Sequence, residues 1–195
     1  DEIESTQDFA VNCVGAASAD LEGYLKSYVD GQDSVLKWAR AGEVGTYVFT
    51  SSTSVYPQSD RRLVDETASS DGVSEKGGLL LAAEQLGFPG GEGIGRSFIL
   101  RLSGLYGPGR HLFLDSLRNG EVLSGDGDRI LNLIHRDDAC SAIFAVLQAE
   151  ERNIGRIYNV SDGNHSSRSE IAAWLATKLG VDAPSFSGGE GSDAS

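Results

Sequence analysis

The sequence predicts an α/β fold with a mostly parallel sheet and helices on both faces. Two observations carry this. Short apolar, β-prone runs alternate with helical patterns along most of the chain, the pattern of strand–helix–strand units. The strand at Thr46–Ser52 also runs directly into a hydroxyl cluster, Ser51-Ser52-Thr53-Ser54. Polar groups at the C-terminal end of a central parallel strand sit where open α/β sheets bind ligands.

Phe9–Gly15 reads as a short buried strand, and Leu21, Leu25, Tyr28, Val29, Val35, Leu36 and Ala39 mark a helix over 20–41, with Gly31 weakening its middle. Residues 57–73, rich in Asp, Ser, Pro and Gly, form a long loop. Leu79, Leu80, Ala83 and Leu86 predict a helix over 74–86, and Gly87–Gly95 a break. Ser97–Leu102 is the next strand, and Tyr106-Gly107-Pro108-Gly109 a turn followed by a short helix over 111–118. Ile130–Ile134 is a strand, after which Asp137 or Asp138 can cap a helix running to about Ala149. Ile157–Val160 is the last strand, and a helix over 169–179 is stopped by Gly180. One domain over 1–184 follows, with no internal repeat. The Gly-, Ser- and acid-rich residues 185–195 read as a disordered tail.

The bulk numbers exclude several classes. A chain of 195 residues buries one sizeable core. A formal net charge of −13 repels phosphate backbones and argues against nucleic-acid binding. No run of about 18 apolar residues is present, so no transmembrane segment is expected. Cys13 and Cys140 make neither a disulfide framework nor a metal-ligand spacing, so no metal site is expected. A reducing, soluble setting, the cytoplasm or an organelle interior, follows. The chain opens Asp1-Glu2-Ile3-Glu4 and contains no Met, so Asp1 is not expected to be a translation start.

Val11–Ala17, Ser51–Tyr56, Arg101–Gly109 and Ile134–Asp138, in that order, resemble segments of the extended short-chain dehydrogenase/reductases of the NAD-dependent epimerase/dehydratase type. Val11–Ala17 resembles that family's fourth strand and the small residues after it. Ser51–Tyr56 resembles its Ser-Ser-x-x-Val-Tyr-Gly signature, with Pro57 in place of the Gly. Arg101–Gly109 resembles Arg-Pro-x-x-x-Tyr-Gly-Pro-Gly, with Leu102 in place of the first Pro, and Ile134-His135-Arg136-Asp137-Asp138 resembles Ile-His-Val-Asp-Asp. The resemblance implies a partial Rossmann-like sheet and a catalytic hydroxyl at Ser52. It implies cofactor contacts at Gly15, Ala16, Ala17, Ser51, Ser103 and Leu105, and substrate contacts at Tyr56, Arg129 and His135.

The proton-transfer pair does not match. Aligned on Glu84, the family's Tyr-x-x-x-Lys falls on Lys76 and Leu80. A tyrosine titrates near 10 unless a neighbouring cation lowers it, so the pair is needed for chemistry at neutral pH. Ser52 is then vestigial. The family's substrate-clamping Arg is displaced, with Leu131 in its place and Arg129 two residues earlier. The Gly87, Gly90 and Gly93 run follows a helix and precedes a strand, so it reads as a loop and not a phosphate cradle.

The resemblance also implies that the chain starts just before the fourth strand, without the dinucleotide-binding half. NAD or NADP then belongs to the complete protein, and none is held by this fragment alone. Strand 9–15, with neither Lys nor Pro, would be an unguarded edge. The missing N-terminal segment, or another protein chain, is the expected partner along it. Two functions follow: an NAD(P)-binding, epimerase/dehydratase-like protein with a degenerate active site, or a non-enzymatic structural or accessory subunit of a larger assembly. Several residues keep two readings: His135 as structural or as ligand, Asp137 and Asp138 as caps or as substrate contacts, Arg101 and Arg129 as ion-pair partners or as anion contacts.

Overall fold

The structure, a computed structural model, describes residues 7–149 and 155–188. They fall into two compact units. The first is drawn from the chain up to Ser103 and from Asp138–Val160, the second from Gly104–Asp137 and from Ser161 onward.

The first unit is a four-stranded parallel sheet in the order β1-β2-β3-β6: β1 Phe9–Asn12, β2 Val44–Ser52, β3 Ile94–Leu102 and β6 Gly155–Val160. The helical stretch expected over 20–41 is present as α1 (Leu21–Tyr24), a π-helical segment (Leu25–Asp30) and α2 (Gly31–Ala41). Asp20 starts it by accepting the Gly23 N–H at 2.7 Å. The widened turns end at Gly31, the residue whose low helix propensity weakens the middle of the run. α3 (Glu75–Gly87) is capped by Ser74, whose Oγ accepts the Gly77 N–H at 3.2 Å.

Alternation along the strands sorts the core into two layers. Tyr47, Phe49 and Ile99 pack with Leu36 and Ala39 of α2 and Ala83 of α3. Val48, Phe98 and Leu100 face the other way, against Val146, Ala142 and Ile143 of α5 (Arg136–Gln148). Among the described residues β1 is covered on one side only. Ala10, in register with Tyr47, joins the α2 layer, whereas Phe9 and Val11 on the opposite face are 52% and 40% exposed.

The second unit contains the two-stranded parallel ladder of β4 (Gly104–Tyr106) with β5 (Leu133–His135), the short α4 (Leu114–Arg118) and α6 (Arg168–Leu179). β5 begins three residues later than the sequence predicts. Ile130 bridges to Ser167 and the Leu131 N–H donates to the Ser166 carbonyl, so this part of the run pairs outside the β4 ladder. The apolar centre joins Phe113, Leu117 and Leu123 to Ala172 and Ala176 of α6. A capping box starts α6: Ser167 Oγ accepts the Glu170 N–H, and Glu170 accepts the Ser167 N–H at 2.7 Å. Gly180, at φ +68°, ends it. Of the expected tail, Ser185 and Ser187 hydrogen-bond to Leu123 through their backbones, and 189–195 lie outside the described residues. Among the described residues no helix is long and apolar enough to cross a membrane.

Candidate functional site

In the first unit, the polar residues gather at the C-terminal edge of the sheet. Ser51 and Arg101 are register partners on neighbouring strands, so their side chains share one face. Ser51 has the same parity as Tyr47 and Phe49, and that face is the one α3 covers. Glu84 of α3 meets both. Ser51 Oγ donates to Glu84 Oε1 at 2.6 Å, and Arg101 donates to the same carboxylate through Nε at 3.0 Å and Nη2 at 2.7 Å. Both side chains of the ion pair are more than nine-tenths buried. Arg101 Nη1 donates to the Tyr56 hydroxyl at 2.7 Å, and that hydroxyl donates to Asn159 Oδ1 at 2.7 Å. The Asn159 backbone N–H donates to Glu66 Oε1 at 2.6 Å. Burial alone would lower the Arg101 pKa, but the hydrogen bonds to Glu84 and Tyr56 outweigh it and the pKa is pushed up.

A second buried chain stands beside it. Gln32 Oε1 accepts from Asn12 Nδ2 at 2.7 Å and from the Tyr47 hydroxyl at 2.6 Å. Burial pushes the Tyr47 hydroxyl up to about 12.

Ser52, the residue at the catalytic hydroxyl position, is half-buried and points to the face opposite Ser51. Its Oγ accepts from the Ser54 N–H at 3.2 Å and the Ser54 hydroxyl at 3.0 Å, capping the 3-10 turn Thr53–Val55. At the family's Tyr position, Lys76 rests over the Tyr24 ring, with Nζ 5.6 Å from the centroid. At the Lys position, Leu80 is 2% exposed.

The residues with expected cofactor contacts differ in what they offer. A Cβ at Gly15 would meet nothing within 4 Å, so the backbone there is open to an approaching group. Ala16 is half-buried, and the exposed Ala17 gives its N–H to Ser27 Oγ at 2.9 Å. Ser51 is committed to Glu84. Ser103 is 5% exposed and its Oγ has no hydrogen-bond partner among the described residues, an orphaned hydroxyl of the kind a ligand group satisfies. These features fit the flat end of a dinucleotide, except at Ser51. Gly87 ends α3 and residues 88–93 form the loop to β3, where a Cβ at Gly93 would collide with the Arg40 backbone, so that glycine allows close packing on α2.

In the second unit lies a cavity of about 890 Å³. α6 lines it with Ile171, Trp174 and Leu175, a spacing that puts all three on one helix face. Leu131, Leu133, Leu112 and Pro108 complete the apolar part of the lining. Its polar members include Tyr106, Arg110, His135, Asp162 and Glu170. His135 Nδ1 accepts the Asp137 N–H at 3.2 Å, which leaves the neutral ring's proton on Nε2, and the ring meets Tyr106 edge-on with centroids 5.2 Å apart. His135 thus serves the start of α5, and Asp137 and Asp138 lie inside that helix instead of capping it. Of the three residues with expected substrate contacts, His135 lines this cavity, Tyr56 belongs to the Arg101 network of the first unit, and Arg129 is exposed outside the lining. Leu105 gives its carbonyl to Arg110 Nε at 2.8 Å. Among the described residues no cluster of three His, Cys, Asp or Glu could hold a metal ion.

Sequence reasoning did not single out Asn159, Gln32 or Trp174 as site residues. A readable signal existed for Trp174, which repeats with Ile171 and Leu175 at helical spacing.

Residues 8–161 match the NAD dependent epimerase/dehydratase family. Protein YeeZ of Escherichia coli K12 is 34% identical over 171 residues, 85% of this chain and 56% of that protein. Short-chain dehydrogenase/reductase family 42E member 1 of Danio rerio is 30% identical over 118 residues, 55% of this chain and 30% of that protein. Among solved structures, MoeE5 in complex with UDP-glucuronic acid and NAD superposes with a TM-score of 0.80 at 23% identity, covering 93% of this chain and 65% of that one. The UDP-glucuronic acid 4-epimerase of Bacillus cereus in complex with NAD gives a TM-score of 0.80 at 20% identity, covering 93% and 63%. At such identities the structures attest the Rossmann-like fold. The chain spans little more than half the length of YeeZ and about two thirds of these neighbours. By its sequence match and its fold, the chain belongs to the NAD-dependent epimerase/dehydratase family.

Proposed function

We propose that this chain is part of an NAD(P)-binding, epimerase/dehydratase-like protein whose proton-transfer site is degenerate. The observation that carries this reading is the register of α3. Glu84, held by Arg101, fixes the alignment of the helix on the sheet. One turn before it stands Leu80, buried in the core, and two turns before it Lys76, stacked on Tyr24. A leucine carries no charge to hold a ribose or lower a phenol pKa, and a lysine ammonium is not a substitute for a phenol acid at this geometry. Ser52, with its hydroxyl engaged by Ser54, then acts as a turn cap.

Cofactor binding rests on the open backbone at Gly15 and the orphaned Ser103 hydroxyl, with Ala16 and Ala17 beside the first. The rest of a dinucleotide site is supplied outside the described residues, along β1. NADH fluorescence titration of the full-length protein tests this. Saturable binding that weakens when Gly15 is replaced by Leu is expected, and absence of NADH and NADPH binding would overturn it.

A second reading, a non-enzymatic accessory subunit, turns on what covers β1. Phe9 and Val11 leave an apolar face of β1 in water, and among the described residues its outer edge pairs with no strand, a state that isolated proteins avoid. We assign the cover to a further parallel strand from the preceding, dinucleotide-binding half of the same protein. Hydrogen exchange separates the readings. Protection of those Phe9–Asn12 amides that point away from β2, in the purified full-length protein, supports the intramolecular strand. Protection that arises only in a complex with another chain supports the subunit.

A further inference from the structure

We propose that the cavity of the second unit binds a small, uncharged, apolar organic molecule and discriminates against phosphate-bearing ligands. The proposal is independent of whether the protein holds NAD(P).

The volume of about 890 Å³ suits a drug-sized molecule. Much of the lining is aliphatic and aromatic: Ile171, Trp174 and Leu175 from α6, with Leu112, Leu131 and Leu133. Trp174 is 60% exposed and Leu112 41%, so large apolar surfaces stand in water at this site, a cost that an apolar occupant relieves.

The electrostatics exclude a diphosphate. Among the described lining residues, Arg110 alone carries a permanent positive charge, and its Nε is spent on the Leu105 carbonyl. Two carboxylates, Asp162 and Glu170, stand with it. Each is fixed by a backbone N–H: Asp162 by Asn164 at 2.9 Å and Glu170 by Ser167 at 2.7 Å. The Ser167 bond holds the Glu170 carboxyl below the usual range, so it stays ionised at neutral pH. The N-terminus of α6 would otherwise attract an anion, but its own capping box occupies it. Within the lining, the edge-on pair Tyr106 and His135 offers hydrogen bonding to a single hydroxyl or carbonyl on the ligand.

The test is a titration of the full-length protein with N-phenyl-1-naphthylamine, an uncharged fluorescent probe, with UDP-glucose and inorganic pyrophosphate as competitors. Saturable binding is expected, with no displacement by either competitor at millimolar concentration. Leu112→Glu and Trp174→Ala, both at exposed positions, are each expected to weaken probe binding by about tenfold while leaving the melting temperature unchanged. Binding that survives both substitutions, absence of probe binding, or displacement of the probe by UDP-glucose would each overturn the proposal.

Discussion

Glu84 and Arg101 form a buried, two-pronged ion pair, with Arg101 Nη2 2.7 Å from Glu84 Oε2 and Nε 3.0 Å from Oε1. It joins α3 to the central strand at the edge where polar residues collect. Charges removed from water are tolerated only when paired, so loss of one member is costly. Glu84→Gln leaves the guanidinium buried beside a neutral amide and is expected to destabilise the unit by about 3 kcal/mol. Denaturant unfolding with Glu84→Gln, Arg101→Leu and the double variant reads this. The double variant is expected to lose less than the two single losses added together.

The Tyr47 hydroxyl, raised to about 12 by burial, predicts an alkaline limb in stability. A tyrosine in the unfolded chain ionises near 10. The folded pKa is the higher one, so stability is fully present below about pH 10 and falls as pH rises toward 12. The full effect is about 2–3 kcal/mol. Tyr47→Phe removes this titration, at the cost of the hydrogen bond to Gln32. Melting temperatures from pH 8 to about 11 are expected to fall more steeply for the native chain than for the variant.

Gly77 sets how closely α3 approaches the strand-end turn. A Cβ there would lie 2.7 Å from the Ser54 carbonyl oxygen and 2.4 Å from a Val73 methyl. Gly77→Ala is expected to cost about 1–3 kcal/mol through overpacking, despite alanine's better helix propensity. Gly78, one residue on, has no atom within 4 Å of its Cβ position. Gly78→Ala is expected to be neutral or slightly stabilising. Thermal melts of the two variants give the contrast.

Arg168 lies 5.4 Å from the centroids of both Phe113 and Phe186. Phe186 pairs with Leu123 near the C-terminal end of the described residues. Arg168→Ala is expected to free this segment, read as earlier proteolysis after Val181, while the first unit keeps its stability.

Much of the sheet was legible because apolar runs and helical stripes alternate over most of the chain. Phe9, Tyr47, Phe98 and Ile157 all lie in strands at the expected places. β4 was not legible, because three residues make a strand only once a partner arrives, and its partner is the displaced β5. Ser51 could have been placed by parity. It shares the face of Tyr47 and Phe49 and so turns toward α3, away from the side reached by Ser52. Arg101, a charge among Phe98, Ile99, Leu100 and Leu102, signalled a buried partner without naming it. The cavity was invisible for a different reason: its walls come from 106–114, 131–135 and 162–175, and no local pattern reports such an encounter.

We propose that the Tyr–Lys relay is degenerate in a chain that keeps the family's fold. The direct measurement is absorbance at 340 nm with the full-length protein, NAD or NADP, and a panel of nucleotide sugars and secondary alcohols, for the native chain and Ser52→Ala. No reduction of the cofactor above background is expected from either protein. Turnover by the native chain that Ser52→Ala abolishes would contradict the account.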